Sequence, residues 1–439
     1  MILNRFYETL TRDELEQVQI ERLQSTLNRV YRYVAFYRQA FDARGVEVEK
    51  VKSLADLARL PFTTREDLRR SYPYEMFAVP LRDIVRIHAT SGTTGKPIMV
   101  GYTKNDLRNW TECTARLLCA AGVDEHDVVQ IAFPYNLFTG GFGFHQGAEK
   151  LGASVIPASN ANTEAQLMIM RDFKTSVLIC APGFAGRICT TLAAAGLHPE
   201  NLHLRVGLFG AEPWSERQRT ELEEGLHLKA MDNYGLTEVI GPGVAGECHE
   251  RSGLHVNEDH FIVEVIDPRT LEALPAGEEG ELVFTTITKE GFPLVRYRTG
   301  DLSRLLPGPC PCGRSLARIQ RISARTDDLI FFAGLKVFPS QIEEILGAAQ
   351  GTTPRFRIVL DREGGVDTMD VQVEISEALP AFDELKNLEK LRDSLARGIE
   401  AGLGLQAKVS LVEPRSLGGE GKIRRVVDRR AQIPQTKEP

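Results

Sequence analysis

The sequence predicts an α/β chain in which a large N-terminal domain, residues 1–326, precedes a smaller α+β domain, residues 327–439. The large domain is expected to hold parallel-rich sheet covered by helices, plus a small β-barrel-like unit at about residues 245–325. Three observations carry this expectation. Between residues 128 and 225 short apolar runs alternate with amphipathic stretches, the pattern of a parallel sheet with helical crossovers. Past residue 250 the texture changes to alternating strands joined by turn-rich segments. Beyond Arg325-Thr326-Asp327-Asp328, strands and one long charged helix fill roughly 110 residues, an ordinary domain length.

Thr11-Arg12-Asp13-Glu14 reads as a capping box, with Leu15, Val18, Leu23, Leu27, Val30 and Val34 following at near-helical spacing. Residues 84–89 and 98–100 are short and β-branched, so they are expected to be the two arms of a hairpin. A helix over 103–121 is stopped by Gly122. Buried strands are expected at 128–133, 153–157, 177–181 and 204–209, separated by helices at 163–172, 184–195 and 216–225. Residues 261–266 and 281–286 alternate like half-buried strands. In the last domain, strands are expected at 355–361, 370–375 and 408–412, with a helix over 382–402.

A chain of 439 residues can bury several cores. Its net charge of −7 argues against nucleic acid as the main partner, because a phosphate backbone needs a basic face. Residues 1–7 do not resemble a secretory leader, and no uninterrupted apolar run is long enough to span a membrane. Seven thinly spread cysteines read as reduced thiols in a cytoplasmic protein.

The densest chemistry lies between the hairpin arms, in His88-Ala89-Thr90-Ser91-Gly92-Thr93-Thr94-Gly95-Lys96-Pro97. Glycines let backbone N–H groups converge on an anion, hydroxyls add donors, and a lysine adds charge, so the loop reads as a phosphate cradle. It is not a Walker A loop, since two residues rather than four separate Gly92 from Gly95 and Pro97 follows the lysine. Asp232-Asn233-Tyr234-Gly235-Leu236-Thr237-Glu238 offers an aromatic ring for a purine and a carboxylate for Mg²⁺. Tyr297-Arg298-Thr299-Gly300-Asp301 ends in a carboxylate suited to ribose hydroxyls. Arg325 and Asp327 precede the final domain, and Gly418-Gly419-Glu420-Gly421-Lys422 sets a lysine on a glycine-rich loop near the C-terminus.

In this order and at these separations the motifs resemble the adenylate-forming superfamily of acyl-CoA synthetases, adenylation domains and luciferases. Within it the chain is similar to the phenylacetate–CoA ligase family, over roughly Tyr31 to Asp428. The marks of that family are Phe138-Thr139-Gly140-Gly141, Phe209-Gly210-Ala211-Glu212-Pro213-Trp214, Gly253-Leu254-His255, Glu258-Asp259-His260 and Val337-Phe338-Pro339-Ser340-Gln341-Ile342-Glu343. The resemblance implies ATP, Mg²⁺ and coenzyme A, a small carboxylic acid as partner, and a possible homodimer. It implies that Thr90 to Lys96 hold the β- and γ-phosphates, while Thr237 and Glu238 serve phosphate and Mg²⁺. Gly210, Ala211, Glu212, Asp232, Asn233, Tyr234 and Gly235 would frame the adenine, with Tyr234 stacking; Asp301 would take the ribose with Arg325 nearby. Lys422 would reach the carboxylate and α-phosphate. A swing about Asp327 would then bring Gly334 and Lys336 over the site for the coenzyme A step.

By the same resemblance the acyl pocket is lined from Tyr135, Phe138, Gly140, Gly141, Phe142, Phe144 and His145, an aromatic wall that suits an aryl acid. Two of the four aromatic residues could instead be core, and spacing does not decide which. Phe144 and Ala181-Pro182-Gly183-Phe184 depart from the usual family pattern, so a benzoic-type or small aliphatic acid, or a non-CoA acceptor, stays open. A silent nucleotide-binding regulator is a further alternative, although Lys96, Glu238, Asp301, Arg325 and Lys422 are all present. Cys248, Cys310 and Cys312 with His255 have the composition of a structural Zn²⁺ site, His249 being the other histidine available; the alternative is three buried thiols.

Overall fold

In the computed structural model, local signals are read out first. Thr11 caps the Arg12–Tyr33 helix with the full capping box to Glu14, and Leu15, Leu23, Leu27 and Val30 are buried along one side. Arg86–Ala89 and Met99–Tyr102 pair antiparallel, with Ala89 opposite Met99, so the hydroxyl-rich loop does lie between two hairpin arms. The structure describes residues 1–90, 96–159, 161–326, 330–332, 335–347, 352–363, 366–375, 385–414, 416–417 and 425–430. Residues 91–95, Asp327, Gly334 and Lys422 lie outside them.

The chain divides into two units, Met1–Ile322 and Ser323–Pro439. In the first, nine strands form one sheet. From one edge they run Leu305–Leu306, Arg318–Ile319, Leu254–Val256, Gly241–Glu247, Lys229–Leu236, Val206–Gly210, Val177–Cys180, Val128–Ile131 and Ser154–Ile156. The last five are mutually parallel and the first five mutually antiparallel, Lys229–Leu236 being shared. The parallel part is the alternation expected from the sequence, with helices Gly140–Leu151, Thr163–Asp172, Pro182–Ala194 and Glu216–Leu226 as connections. Its strands are apolar because helices leave little of them exposed.

Gly241–Glu247 was not legible as a strand, since its composition is that of a turn. Every one of its residues is buried against the Lys104–Ala120 helix. Small residues make that approach possible: a Cβ on Gly246 would sit 2.6 Å from Leu117 Cγ. The strand extends the large sheet, which is why the barrel-like unit expected at 245–325 does not close among the described residues. Leu254–Val256, Leu305–Leu306 and Arg318–Ile319 join the nine-stranded sheet. Phe261–Ile266, Gly280–Thr286 and Tyr297–Ser303 make a separate antiparallel layer.

In the second unit, Thr352–Glu363 and Val366–Ile375 pair antiparallel at the centre. Lys408–Val412 and Val426–Asp428 add in parallel on either side. Ile342 and Leu346 of Pro339–Gly347, and Leu395 and Ile399 of Leu385–Leu403, close the core over Phe356, Ile358, Val371 and Val373.

Candidate active site

Two of the segments singled out for nucleotide chemistry, Gly210 to Glu212 and Asp232 to Gly235, lie toward the C-terminal ends of the parallel strands Val206–Gly210 and Lys229–Leu236, where open α/β sheets commonly bind ligands. Val206–Gly210 delivers Gly210 beside Asn233, and a Cβ on Gly210 would collide with the Asn233 carbonyl. Ala211 follows with φ +70°, a conformation an alanine adopts only when its surroundings impose it. Glu212 accepts from the Gly183 N–H at 2.8 Å. Asn233 Nδ2 donates to the Phe209 carbonyl at 2.8 Å, locking together the two segments expected to frame an adenine.

Asp232 accepts from Arg321 Nε at 2.9 Å, and Arg321 also lies over the Trp214 ring at 4.5 Å. Burial pushes the Asp232 carboxyl up to about 6, with the Arg321 charge opposing it. The Tyr234 hydroxyl donates to Asp301 Oδ2 at 2.7 Å, so the residue marked for adenine and the one marked for ribose are in contact. The Tyr234 ring lies roughly parallel to Phe284, 6.0 Å between centroids. Arg325 ends the short strand Ala324–Arg325.

Thr237 and Glu238 sit on the turn after Lys229–Leu236 and are both buried. The Thr237 hydroxyl is 3.1 Å from that of Thr139, the residue that leads into the Gly140–Leu151 helix. Glu238 Oε1 meets Arg65 and the Tyr297 hydroxyl, each at 3.4 Å. Lys289, 4% exposed, donates to the Val239 carbonyl at 2.8 Å; burial draws its ammonium down to about 7, against the Asp106 and Glu238 charges. At the hydroxyl-rich loop, Thr90 Oγ1 accepts from the Ile98 N–H at 3.0 Å and Lys96 Nζ lies 5.1 Å over the Tyr72 ring. Thr139, Arg65, Lys289 and Arg321 were not singled out from the sequence as functional side chains. Thr139 lies inside the Phe138-to-Gly141 family mark, but nothing in the local sequence distinguishes Arg65, Lys289 or Arg321 from ordinary capping or surface residues.

The aromatic segment divides. Phe144, 1% exposed, stacks on Phe133 in the helix–sheet core. Tyr135, Phe138, Phe142 and His145 are only partly buried, and Tyr135 and Phe142 meet edge to face at 5.2 Å. His145 bridges the Tyr135 hydroxyl and Glu149 Oε1, each at 3.1 Å. Gly140 and Gly141 are buried in the first turn of the helix.

Beside Phe142 lies His88, 2% exposed, with its ring edge-on to Tyr102, Trp110 and Phe142. Burial lowers its pKa to about 4, although the Leu137 carbonyl 3.0 Å from Nδ1 opposes this. Such a depressed pKa contributes stability that is present above the unfolded value of about 6.5 and is lost as pH falls through the folded one. Denaturant titrations of the wild type and His88→Leu between pH 7 and pH 4 are expected to show an additional acid loss of about 2–3 kcal/mol in the wild type alone. Parallel pH curves would show that His88 is not held neutral.

A second cluster closes the antiparallel edge of the sheet. Cys248, His255, Cys310 and Cys312 each offer a ligand atom, all within 4.8 Å of one another. Cys248 Sγ is 3.8 Å from Cys310 Sγ, and Cys312 Sγ is 3.4 Å from His255 Nε2. The sulfur pair is far too long for a disulfide. A tetrahedral Zn²⁺ with bonds of about 2.3 Å to sulfur and 2.0–2.1 Å to nitrogen gives edges of about 3.8 and 3.5 Å, so the cluster fits the ion. Burial raises the Cys248 thiol to about 12, with the neighbouring thiols adding to the rise. At Cys312 burial acts in the same direction, but the His255 and Arg314 hydrogen bonds outweigh it and bring the thiol down to about 5. His249, pairing instead with Glu250 at 3.1 Å, is not part of the cluster.

Known proteins place the chain in a family. The sequence model of the AMP-binding enzyme family matches residues 10–288, and that of the AMP-binding enzyme C-terminal domain matches residues 334–430. A phenylacetate–coenzyme A ligase of Aromatoleum evansii is 45% identical over 96% of both chains. One from Thermus thermophilus is 45% identical over 96% of this chain and 98% of its own. The crystal structure of a 2-hydroxyisobutyryl-CoA ligase, in the postadenylation state with R3-HIB-AMP, superposes with a TM-score of 0.87 at 28% identity, covering 96% and 91% of the two chains. By sequence and by architecture, the chain belongs to the phenylacetate–CoA ligase family of AMP-binding, adenylate-forming enzymes.

Proposed function

We propose that this ATP-dependent, AMP-forming acid–CoA ligase activates an arylacetic or closely related acid. In the first step a carboxylate oxygen attacks the α-phosphorus of ATP and the bond to pyrophosphate breaks, leaving acyl-AMP. In the second the coenzyme A sulfur attacks the acyl carbon, its proton is lost, and AMP leaves. The observation that carries the reading is the Thr139–Thr237 contact at 3.1 Å. It sets the middle of the partly exposed aromatic segment against the turn assigned to the phosphates, so acid and nucleotide can meet there.

In this reading the loop from Thr90 to Lys96 holds the β- and γ-phosphates, and Thr237 adds a hydroxyl. Buried Glu238 suits Mg²⁺, which when bound would neutralise charge on the phosphate oxygens. Gly210 to Glu212 and Asp232 to Gly235 frame the adenine; the Tyr234–Asp301 hydrogen bond supports placing the ribose next to it. Arg325 accompanies the ribose. Lys422 serves the adenylation step, and motion about Asp327 brings Gly334 and Lys336 into use for thioester formation. Cys248, His255, Cys310 and Cys312 hold a structural Zn²⁺. All seven cysteines are unpaired, which suits a cytoplasmic setting, and among the described residues no helix is long and apolar enough to cross a membrane. We further propose that the enzyme is a homodimer, a state expected from the family resemblance.

AMP release with ATP, Mg²⁺ and coenzyme A across arylacetic, benzoic and short aliphatic acids tests the substrate class. Arylacetic acids are expected to lead by at least about tenfold in kcat/KM, the least that a well-filled apolar pocket yields. The aliphatic arm matters because the structural relative at 28% identity is a 2-hydroxyisobutyryl-CoA ligase. A lead for short aliphatic acids would overturn the aryl assignment and leave the chemistry intact.

A further inference from the structure

Lys289 is buried deeply for an ammonium group, and its surroundings give a reason. No carboxylate forms a salt bridge with it among the described residues. Its Nζ donates to the Val239 carbonyl at 2.8 Å and reaches the Glu238 carbonyl at 3.5 Å. The faces of Tyr102 and Phe292 lie 4.6 and 5.4 Å away. The next two residues are fixed as well, since the N–H groups of Glu290 and Gly291 donate to buried Asp106 at 2.7 and 2.9 Å. Burying a cation is costly, and carbonyl dipoles and aromatic faces return only part of that cost.

The turn that Lys289 touches is the one bearing Thr237 and Glu238. Inside it the N–H groups of Val239 and Ile240 both donate to Leu236, which leaves the carbonyls of 238, 239 and 240 to find donors elsewhere. Lys289 takes the first two, and the Tyr102 hydroxyl takes the third at 2.9 Å. Tyr102 ends the strand that leaves the hydroxyl-rich loop. Its ring stacks on Trp110 at 5.0 Å between centroids, and Trp110 Nε1 donates to the Pro242 carbonyl at 2.8 Å. The loop's exit strand and the Thr237–Glu238 turn are thus bolted together from behind.

We infer that Lys289 is a positioning residue for adenylation, pinning with Tyr102 the three carbonyls behind Thr237 and Glu238 so that the turn is held in register with the strand Met99–Tyr102. This rests on the reading of Thr237 and Glu238 as the phosphate and Mg²⁺ groups. A residue acting only on general stability would weaken both half-reactions alike. A residue that sets this turn affects acyl-AMP formation and spares the attack of coenzyme A on acyl-AMP already made.

The test compares K289M, which keeps chain length but removes charge and donors, with K289R and E238Q. ATP–pyrophosphate exchange is measured against ATP and Mg²⁺ concentration, and thioester formation is measured from supplied acyl-AMP. For K289M the exchange kcat is expected to fall on the order of 100-fold, the scale of an ångström-sized misplacement, with a raised KM for MgATP. Thioester formation from acyl-AMP is expected to stay close to wild type, and K289R to recover part of the exchange. Equal loss in both half-reactions, unchanged exchange, or K289R no better than K289M would overturn the inference. E238Q separates the two levels. If E238Q keeps wild-type exchange, the reading of the turn fails; if E238Q falls while K289M does not, only the role of Lys289 fails. Should K289M not fold, Y102F removes a single donor to the same turn. Its exchange is expected to fall about 5- to 10-fold, the worth of one buried hydrogen bond, and unaffected exchange there counts against the inference equally.

Discussion

Replacing Lys422 by alanine is expected to reduce ATP–pyrophosphate exchange by at least about 100-fold, the scale of losing one preorganised stabilising group. Thioester formation from supplied acyl-AMP should remain near the wild-type rate. Negative charge accumulates on the α-phosphate oxygens as the carboxylate attacks, and a lysine ammonium in place at that moment lowers the barrier. In the second half-reaction the bond being broken is at the acyl carbon and AMP departs already formed, so the same cation has little to stabilise. Lys422 lies outside the described residues, and the expectation rests on its place in the Gly418-to-Lys422 loop and on this difference between the two steps. Equal loss in both half-reactions would falsify the assignment.

Protein purified without chelators is expected to carry close to one equivalent of zinc, and Cys310→Ser or Cys312→Ser to lose it together with several kcal/mol of stability. Coordination would be strong because three thiolates and a neutral imidazole would all bind one divalent cation, and that binding free energy would add to folding stability. Metal analysis and thermal melting read both parts without reference to turnover. In a unit of this size, Met1–Ile322, each kcal/mol moves the midpoint by about 1.5 °C, so a shift of roughly 5 °C is anticipated. Less than about half an equivalent of zinc, with serine variants that melt like wild type, would leave the cluster as a set of buried thiols.

Most of the fold was legible because its signals are local. The Thr11–Glu14 capping box, the β-branched hairpin arms and the apolar strands from Val128 to Gly210 depend on residues close in sequence. Gly241–Glu247 was not legible, since its strand character comes from the Lys104–Ala120 helix packed against it and not from its own residues. The site divides in the same way. Loop and turn motifs could be read directly, whereas Lys289 and Arg321 gain their meaning from partners that are 50 and 89 positions away. The ambiguity among the phenylalanines has a geometric origin. Residues two apart on a helix point about 200° apart, so Phe142 and Phe144 could not both face one pocket. Spacing alone does not say which faces inward, and in the structure the core takes Phe144.

Arg314 pairs with Glu8 at 2.5 Å, holds the Met1 carbonyl, and lies 3.6 Å from Cys312 Sγ. Glu8 and Arg314 are 306 positions apart in the chain. During synthesis at about 5–20 residues per second, roughly 15–60 s separate the emergence of the acid from that of its cation. Through that interval Glu8 lacks the guanidinium that holds it in the finished fold, although Arg22 can already reach Tyr7 of the same Arg5–Glu8 helix. This ion pair, whose acid is made long before its cation, is therefore among the last contacts of its unit to form.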